Sequence, residues 1–385
     1  MIAYNRNWLD ALHTKDAAHS WYKNGLLSAE RWEALKAQKP APFYSPNLFI
    51  RIGLGIFCMI LMYAAMGLLA LTGMLDSESR ITAFSLFWAV IWIVLLEFWI
   101  IRSLRHYGSG LDDMMLYVAT ITLIGGLYYA LPFDSSPLTY CLIAWPFLVA
   151  GSIRYLDRLM AAAAFGFSLL IVLLTIHDKI PALALYLLPF SGMLFSAMVW
   201  LWARKVQKRI TLRYWHGLFA VIELLCLPAF YASGNYWVVQ QAGADFFNLP
   251  QPPIGWFFWS FTFGVPVLYL ALGLRLKDRL LLDIGIVAVA VSVFTFRYYH
   301  HVLPLAWACT IFGGILFVAA YLSISYLRKK PGAFTYEQGT EAELLQEIEE
   351  QLIEQLIVTP SVKPEAPKET FGGGDFGGGG AGGEY

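Results

Sequence analysis

Apolar residues in this chain gather into runs of bilayer length, separated by short polar breaks. Nine runs stand out: Ile52 to Leu75, Ile81 to Ile101, Met114 to Phe133, Leu159 to Ile176, Ile180 to Ala203, Tyr214 to Ser233, Ile254 to Leu274, Leu280 to Phe296 and Leu303 to Ser325. A helix rising about 1.5 Å per residue needs roughly 20 apolar residues to cross a hydrocarbon core of about 30 Å, and these runs reach or approach that length. A tenth run, Leu138 to Ser152, is short. The pattern predicts an all-α, polytopic integral membrane protein with about ten transmembrane helices over 48–327.

Whether the short run crosses is decided by the bias of Lys and Arg toward cytoplasmic loops, because omitting one crossing swaps the side of everything downstream. With ten crossings and a cytoplasmic N-terminus, only Arg80, Lys179 and Arg297 of the 27 basic residues lie outside, leaving 24 inside. If the run only dips in and returns, the split becomes 11 inside and 16 outside. Ten crossings with both termini cytoplasmic is therefore the expected topology. The polar stretch Met1 to Asn47 has no apolar core followed by a small-residue cleavage site, so a signal peptide is not expected.

Composition agrees: 58% of residues are hydrophobic and 14% charged, against about 25% charged in an ordinary soluble domain. Basic and acidic residues balance at 27 each, which gives no reason to expect a nucleic-acid partner. Cys58, Cys141, Cys226 and Cys309 all sit in apolar runs without C-x-x-C or Cys/His spacing. Neither a disulfide framework nor a zinc site is expected, and no cofactor is implied.

The soluble ends are patterned too. Trp8 to Tyr22 reads as a helix, Asn24-Gly25 as its stop, and Ser28 as the cap of a second helix to about Ala37. Trp8, Leu12, Trp21, Leu26, Leu27, Trp32 and Leu35 would close the two into a cytoplasmic hairpin over 1–47. Within it, His19 to Leu35 (HSWYKNGLLSAERWEAL) resembles the opening of uncharacterised bacterial membrane proteins of the DUF2157 type. That resemblance implies a short helical hairpin ahead of a multi-helix region in a bacterial inner membrane, and carries no functional residues with it.

Beyond the last run, 328–360 holds seven Glu residues between Glu337 and Glu354, with Leu345, Ile348, Leu352 and Leu356 on one helical stripe. Such an acidic amphipathic helix needs an apolar partner. Glu341 to Ile357 is a candidate contact for a cytoplasmic protein or for the basic loop Arg204 to Arg213. The remaining 361–385 is Pro- and then Gly-rich, and its ending, FGGGDFGGGGAGGEY, resembles the glycine-rich tails of some bacterial TPM-domain membrane-associated proteins. Such a composition predicts disorder.

Ionisable groups at bilayer depth are costly, so each is a candidate site. Glu223 lies near the middle of its run, His216 seven residues before it and Pro228 five after, so that a carboxylate beside a weakened helix can be read as a proton, ion or substrate site. A protonated, packed Glu223 is the competing reading. Glu97 and Asp283 lie near the predicted cytoplasmic edge, where pairing with Arg102 and Arg279 is the simpler account. Asp112 and Asp113 begin a span, where acids favour a helix N-terminus. Arg297-Tyr-Tyr-His-His301 reads as an aromatic anchor rather than a metal site, and the long outer connection Gly234 to Pro253 as an interfacial anchoring segment, with a substrate gate as the alternative. No paired carboxylates, Ser/His/Asp order or H-x-x-x-H spacing points to an enzyme.

Two functions remain. The first is a small-solute or lipid transporter: ten helices with short loops are similar in bulk architecture to the drug/metabolite transporter superfamily, and Pro146, Pro189, Pro228 and Pro266 are expected to interrupt spans as in broken transporter helices. No internal repeat supports that reading. The alternative is a membrane-embedded sensor or assembly scaffold that recruits partners through its soluble ends.

Overall fold

The computed structural model describes residues 2–300, apart from 24–26, 39–41, 73–76, 133, 208 and 250, together with 310, 313–314, 317–318, 321 and 325. The chain divides into two units, Met1–Thr310 and Ile311–Tyr385. In the first, α1 (Arg6–Lys23) and α2 (Ala29–Gln38) precede a bundle. The bundle comprises α3 (Leu48–Ala70), α4 (Glu78–Val94, continued by a π-helix over Leu95–Ser103), α5 (Leu111–Tyr129), α6 (Pro137–Tyr155), α7 (Arg158–Lys179) and α8 (Pro181–Gln207). After a 3-10 turn (Ile210–Trp215) come α9 (His216–Gly234), α10 (Tyr236–Phe247), α11 (Gly255–Leu276) and α12 (Arg279–Tyr299). Among the described residues, nine of these helices are long and apolar enough to cross a membrane, and there is no strand. Most of the run Leu303 to Ser325, the acidic stripe Glu341 to Ile357 and the tail 361–385 lie outside the described residues.

The short run is a full helix. Ser136 caps α6 and Pro137 enters its first turn, where a missing N–H costs nothing, and the helix runs 19 residues to Tyr155. Sequential helices pack as antiparallel neighbours, α4 on α5, α6 on α7, α8 on α9 and α11 on α12. In the apolar window of α5, 44% of residues are buried, against 17% in α3, so α5 is central and α3 peripheral. The outward faces are apolar: Phe49, Leu71 and Trp256 are among many large side chains left exposed. Continuous apolar surface of this kind suits lipid rather than water.

One expectation needs correction. The prolines do not break their helices: α6, α8, α9 and α11 run on through Pro146, Pro189, Pro228 and Pro266. At Pro266 the reason is visible, because the Thr262 carbonyl it deprives of an N–H donor accepts from Ser292 Oγ at 2.7 Å and Tyr231 Oη at 3.3 Å. The long connection after Gly234 carries a helix of its own. Asn235 Oδ1 accepts from Trp237 N at 3.0 Å and caps α10, whose Tyr236 stacks on Trp259 with ring centroids 4.5 Å apart.

Two short helices, α1 and α2, form at the N-terminus, while Asn24, Gly25 and Leu26 lie outside the described residues. Ser28 Oγ accepts from Arg31 N, and Tyr22 stacks on Trp32. The anchor of α1 is Leu9, fully buried at 0% exposure within the core that α3, α4, α5 and α6 share.

Candidate functional site

Ion pairs gather at one end of the bundle, where α3, α5, α7, α9 and α12 begin and α4, α6, α8 and α11 end. Arg51, in the first turn of α3, donates from Nε and Nη2 to Asp113 Oδ2 at 2.8 and 2.5 Å. Asp112, 2% exposed, accepts from Gly108 N at 2.7 Å, Ser109 N at 2.8 Å and Ser109 Oγ at 2.9 Å. Donors from the turn before α5 thus satisfy the carboxylate oxygens of Asp112. Tyr4 Oη also donates to Asp112, at 3.4 Å, tying the N-terminal segment to α5. Burial raises the Tyr4 phenol well above its ordinary value, so it remains a donor.

Since Ser109 Oγ gives its single proton to Asp112, His106 Nδ1, 2.7 Å away, must donate to that oxygen. Burial holds His106 below the ordinary imidazole value while Asp112 pulls weakly the other way. Asp157 caps α7, accepting from Met160 N at 2.7 Å and Tyr117 Oη at 2.8 Å, and its burial raises it above the usual carboxylate value.

Glu97 pairs elsewhere than expected. It lies on the π-helix and accepts both Arg154 Nε at 2.6 Å and Tyr155 Oη at 2.9 Å on Oε1, with Arg154 Nη2 at 2.7 Å on Oε2. That fork fills the carboxylate, and Arg102 instead lies over the Phe98 ring, 4.7 Å from its centroid. The pairing also explains how α6 carries Arg154 beyond its apolar run.

Glu223 is buried and tied. Arg204, at the end of α8, places Nε 2.9 Å from Glu223 Oε1, donates from Nη2 to Asp278, and stacks on Trp200. Asp278 itself caps α12 by accepting from Leu280 N at 3.0 Å. The three sequence candidates on α9 are not brought together, because His216 and Pro228 are exposed while Glu223 is turned inward. Asp283 meets Arg279 at 3.7 Å on the surface, as expected. Arg297 lies in the last turn of α12, and His300 packs on Phe296 and Trp259, while His301 lies outside the described residues.

No family model matches the chain, and no curated protein or solved structure is similar to it.

A second polar cluster escaped the sequence reading because none of its members carries charge. Asn235 Nδ2 donates to Tyr231 Oη at 3.0 Å and Thr295 Oγ1 at 3.2 Å, Tyr231 Oη meets Ser292 Oγ at 2.9 Å, and Tyr236 N donates to Thr262 Oγ1 at 2.9 Å. All but Tyr236 are buried. The signal was present in the spacing: Tyr231 and Asn235 at i,i+4, and Ser292 and Thr295 at i,i+3, each line one helical face. Among the described residues no group of three or more His, Cys, Asp or Glu is placed to hold a metal.

Proposed function

We propose that this is a ten-span membrane protein with both termini in the cytoplasm, acting as a membrane-embedded sensor or assembly scaffold that engages cytoplasmic partners through its soluble ends. The observation that carries this reading is the seating of α1 on the charged end of the bundle. Tyr4 bonds Asp112, Leu9 enters the core, and Asp10 accepts from Arg213 Nη2 at 2.7 Å and Tyr214 Oη at 3.1 Å. One soluble helix therefore touches both the early helices and the α8–α9 connection, so a partner bound to the hairpin acts directly on the bundle.

Detergent pull-down of the full chain and of a chain lacking 331–385 tests the recruiting role, a tail-dependent partner being the expected result. Topology is tested by reporters active only outside the cytoplasm: fusions after Asp134 and Asp178 should be active and fusions after Arg158 and Lys208 silent. The hairpin's resemblance to DUF2157-type proteins would set this arrangement in a bacterial inner membrane.

A carrier is the second reading, favoured by one observation, that Arg204 is shared between Glu223 on α9 and Asp278 at the start of α12. An arginine exchanging between two carboxylates on different helices can couple a proton to their relative movement. Solute uptake unaffected by Glu223→Gln would end that reading.

A further inference from the structure

Between the N-terminal segment and the end of the π-helix lies a cavity of about 330 Å³, lined by Tyr4, Asn5, Trp8, Phe43, Ile101 and Arg102 among others. That volume falls in the range of small-ligand sites. Its chemistry is cationic and aromatic. Arg102 is exposed over the Phe98 ring, and Arg105 is exposed over the Trp8 ring at 5.1 Å. The nearest carboxylates are engaged elsewhere, Glu97 by Arg154 and Tyr155, Asp112 by the backbone of Gly108 and Ser109, and Asp113 by Arg51. Arg102 thus lines the cavity and Arg105 stands over its Trp8 wall, and neither guanidinium lies within ion-pair distance of a carboxylate among the described residues.

The backbone is held in an uncommon shape to place one of them. Arg105 has φ +57°, a left-handed conformation unfavourable for a side chain with Cβ. Tyr44 clamps it from both sides, its N–H donating to the Arg105 carbonyl at 3.0 Å and its carbonyl accepting from Tyr107 N at 3.3 Å. The π-helix that ends here is likewise a rare form, frequent at functional sites. The same turns of helix leave Phe98 59% and Trp99 55% exposed, so apolar surface continues from the guanidiniums onto the outward face of the bundle.

We propose that this cavity holds the headgroup of an anionic phospholipid, with Arg102 and Arg105 on the phosphate and an acyl chain along Phe98 and Trp99. A free phosphate would leave the apolar surface unused, and an acidic peptide brings no acyl chain to lie along it. The inference rests on the membrane reading above and is separable from it.

Native mass spectrometry of the detergent-solubilised full chain should show phosphatidylglycerol retained over phosphatidylcholine. Arg102→Gln with Arg105→Gln should lower that retention roughly tenfold, each basic group near a lipid surface contributing about fivefold at most. The double Lys variant should keep most of it, which separates lost charge from lost folding, and Arg279→Gln at the same end should change nothing. Equal retention of the two lipids, or retention unaffected by the double Gln variant, overturns the proposal. So does displacement of the lipid by millimolar inorganic phosphate, which would mark a free-anion site. Alkaline extraction keeps the two readings apart: a chain that stays with the membrane yet shows no lipid preference refutes the headgroup site alone.

Discussion

At the scale of single residues, the charged end is built by groups with no freedom to be otherwise. Gly110 has φ +89°, and a Cβ there would fall onto the Arg51 backbone carbonyl. The close approach of α3 to α5, and with it the Arg51–Asp113 pair, therefore requires glycine. Gly110→Ala should cost more than roughly 2 kcal/mol. Gly125→Ala in the same helix meets open space and should be neutral or stabilising by up to about 1 kcal/mol. Thermal unfolding in detergent compares them directly, and equal midpoints would show that the approach is not constrained.

His106 gives a pH dependence of definite sign. Because burial holds it below the ordinary imidazole value, the folded chain binds fewer protons there than the unfolded chain does. Stability is therefore retained above the ordinary imidazole range and falls as pH drops through it. Relative to wild type, His106→Gln should gain in melting temperature between pH 7.5 and pH 5.5. A constant difference between the two proteins across that range would contradict the assignment.

Elements show where sequence patterning succeeds and where it stops. Spans were legible because burial in lipid demands apolar residues whatever their neighbours, so even the run ended by Arg154 announced a helix. Partners were not legible, since the choice of Arg154 over Arg102 for Glu97 depends on how the π-helix that carries Glu97 meets the end of α6. The prolines mislead for a related reason: Pro266 frees a carbonyl, and only the tertiary structure supplies the hydroxyls that take it. That account predicts coupling. Ser292→Ala should cost roughly 0.5–1.5 kcal/mol, the span of measured polar contacts between membrane helices. In a Pro266→Ala background, where residue 266 again offers an N–H to Thr262, the same change should cost clearly less. Additive costs in this cycle would mean that the hydroxyl and the proline act independently.

For the whole molecule, the question is which parts of the soluble N-terminus belong to the bundle. Charge along the chain gives an expected sidedness, because a ten-crossing count leaves only Arg80, Lys179 and Arg297 on the minority side. The integration of α1 was not readable, since Leu9 looks no different from the other leucines of the hairpin. In the structure Tyr4, just before α1, and Leu9 of α1 enter the core shared with Trp92, Leu96 and Met115, whereas α2 packs on α1 through partly exposed contacts such as Trp32 on Tyr22. The two helices should therefore differ in energetic weight despite their similar composition. Leu9→Ala removes a fully buried side chain from a close-packed site and should cost about 2–5 kcal/mol. Trp32→Ala strips a larger side chain from a half-exposed position and should cost about 1 kcal/mol or less. If a partner reaches the bundle through the hairpin, Leu9→Ala should also uncouple partner binding from bundle stability while Trp32→Ala weakens the binding alone. Equal losses of bundle melting temperature from the two substitutions would show that α1 and α2 form one appendage outside the bundle, and would remove the basis for a signal passing between them.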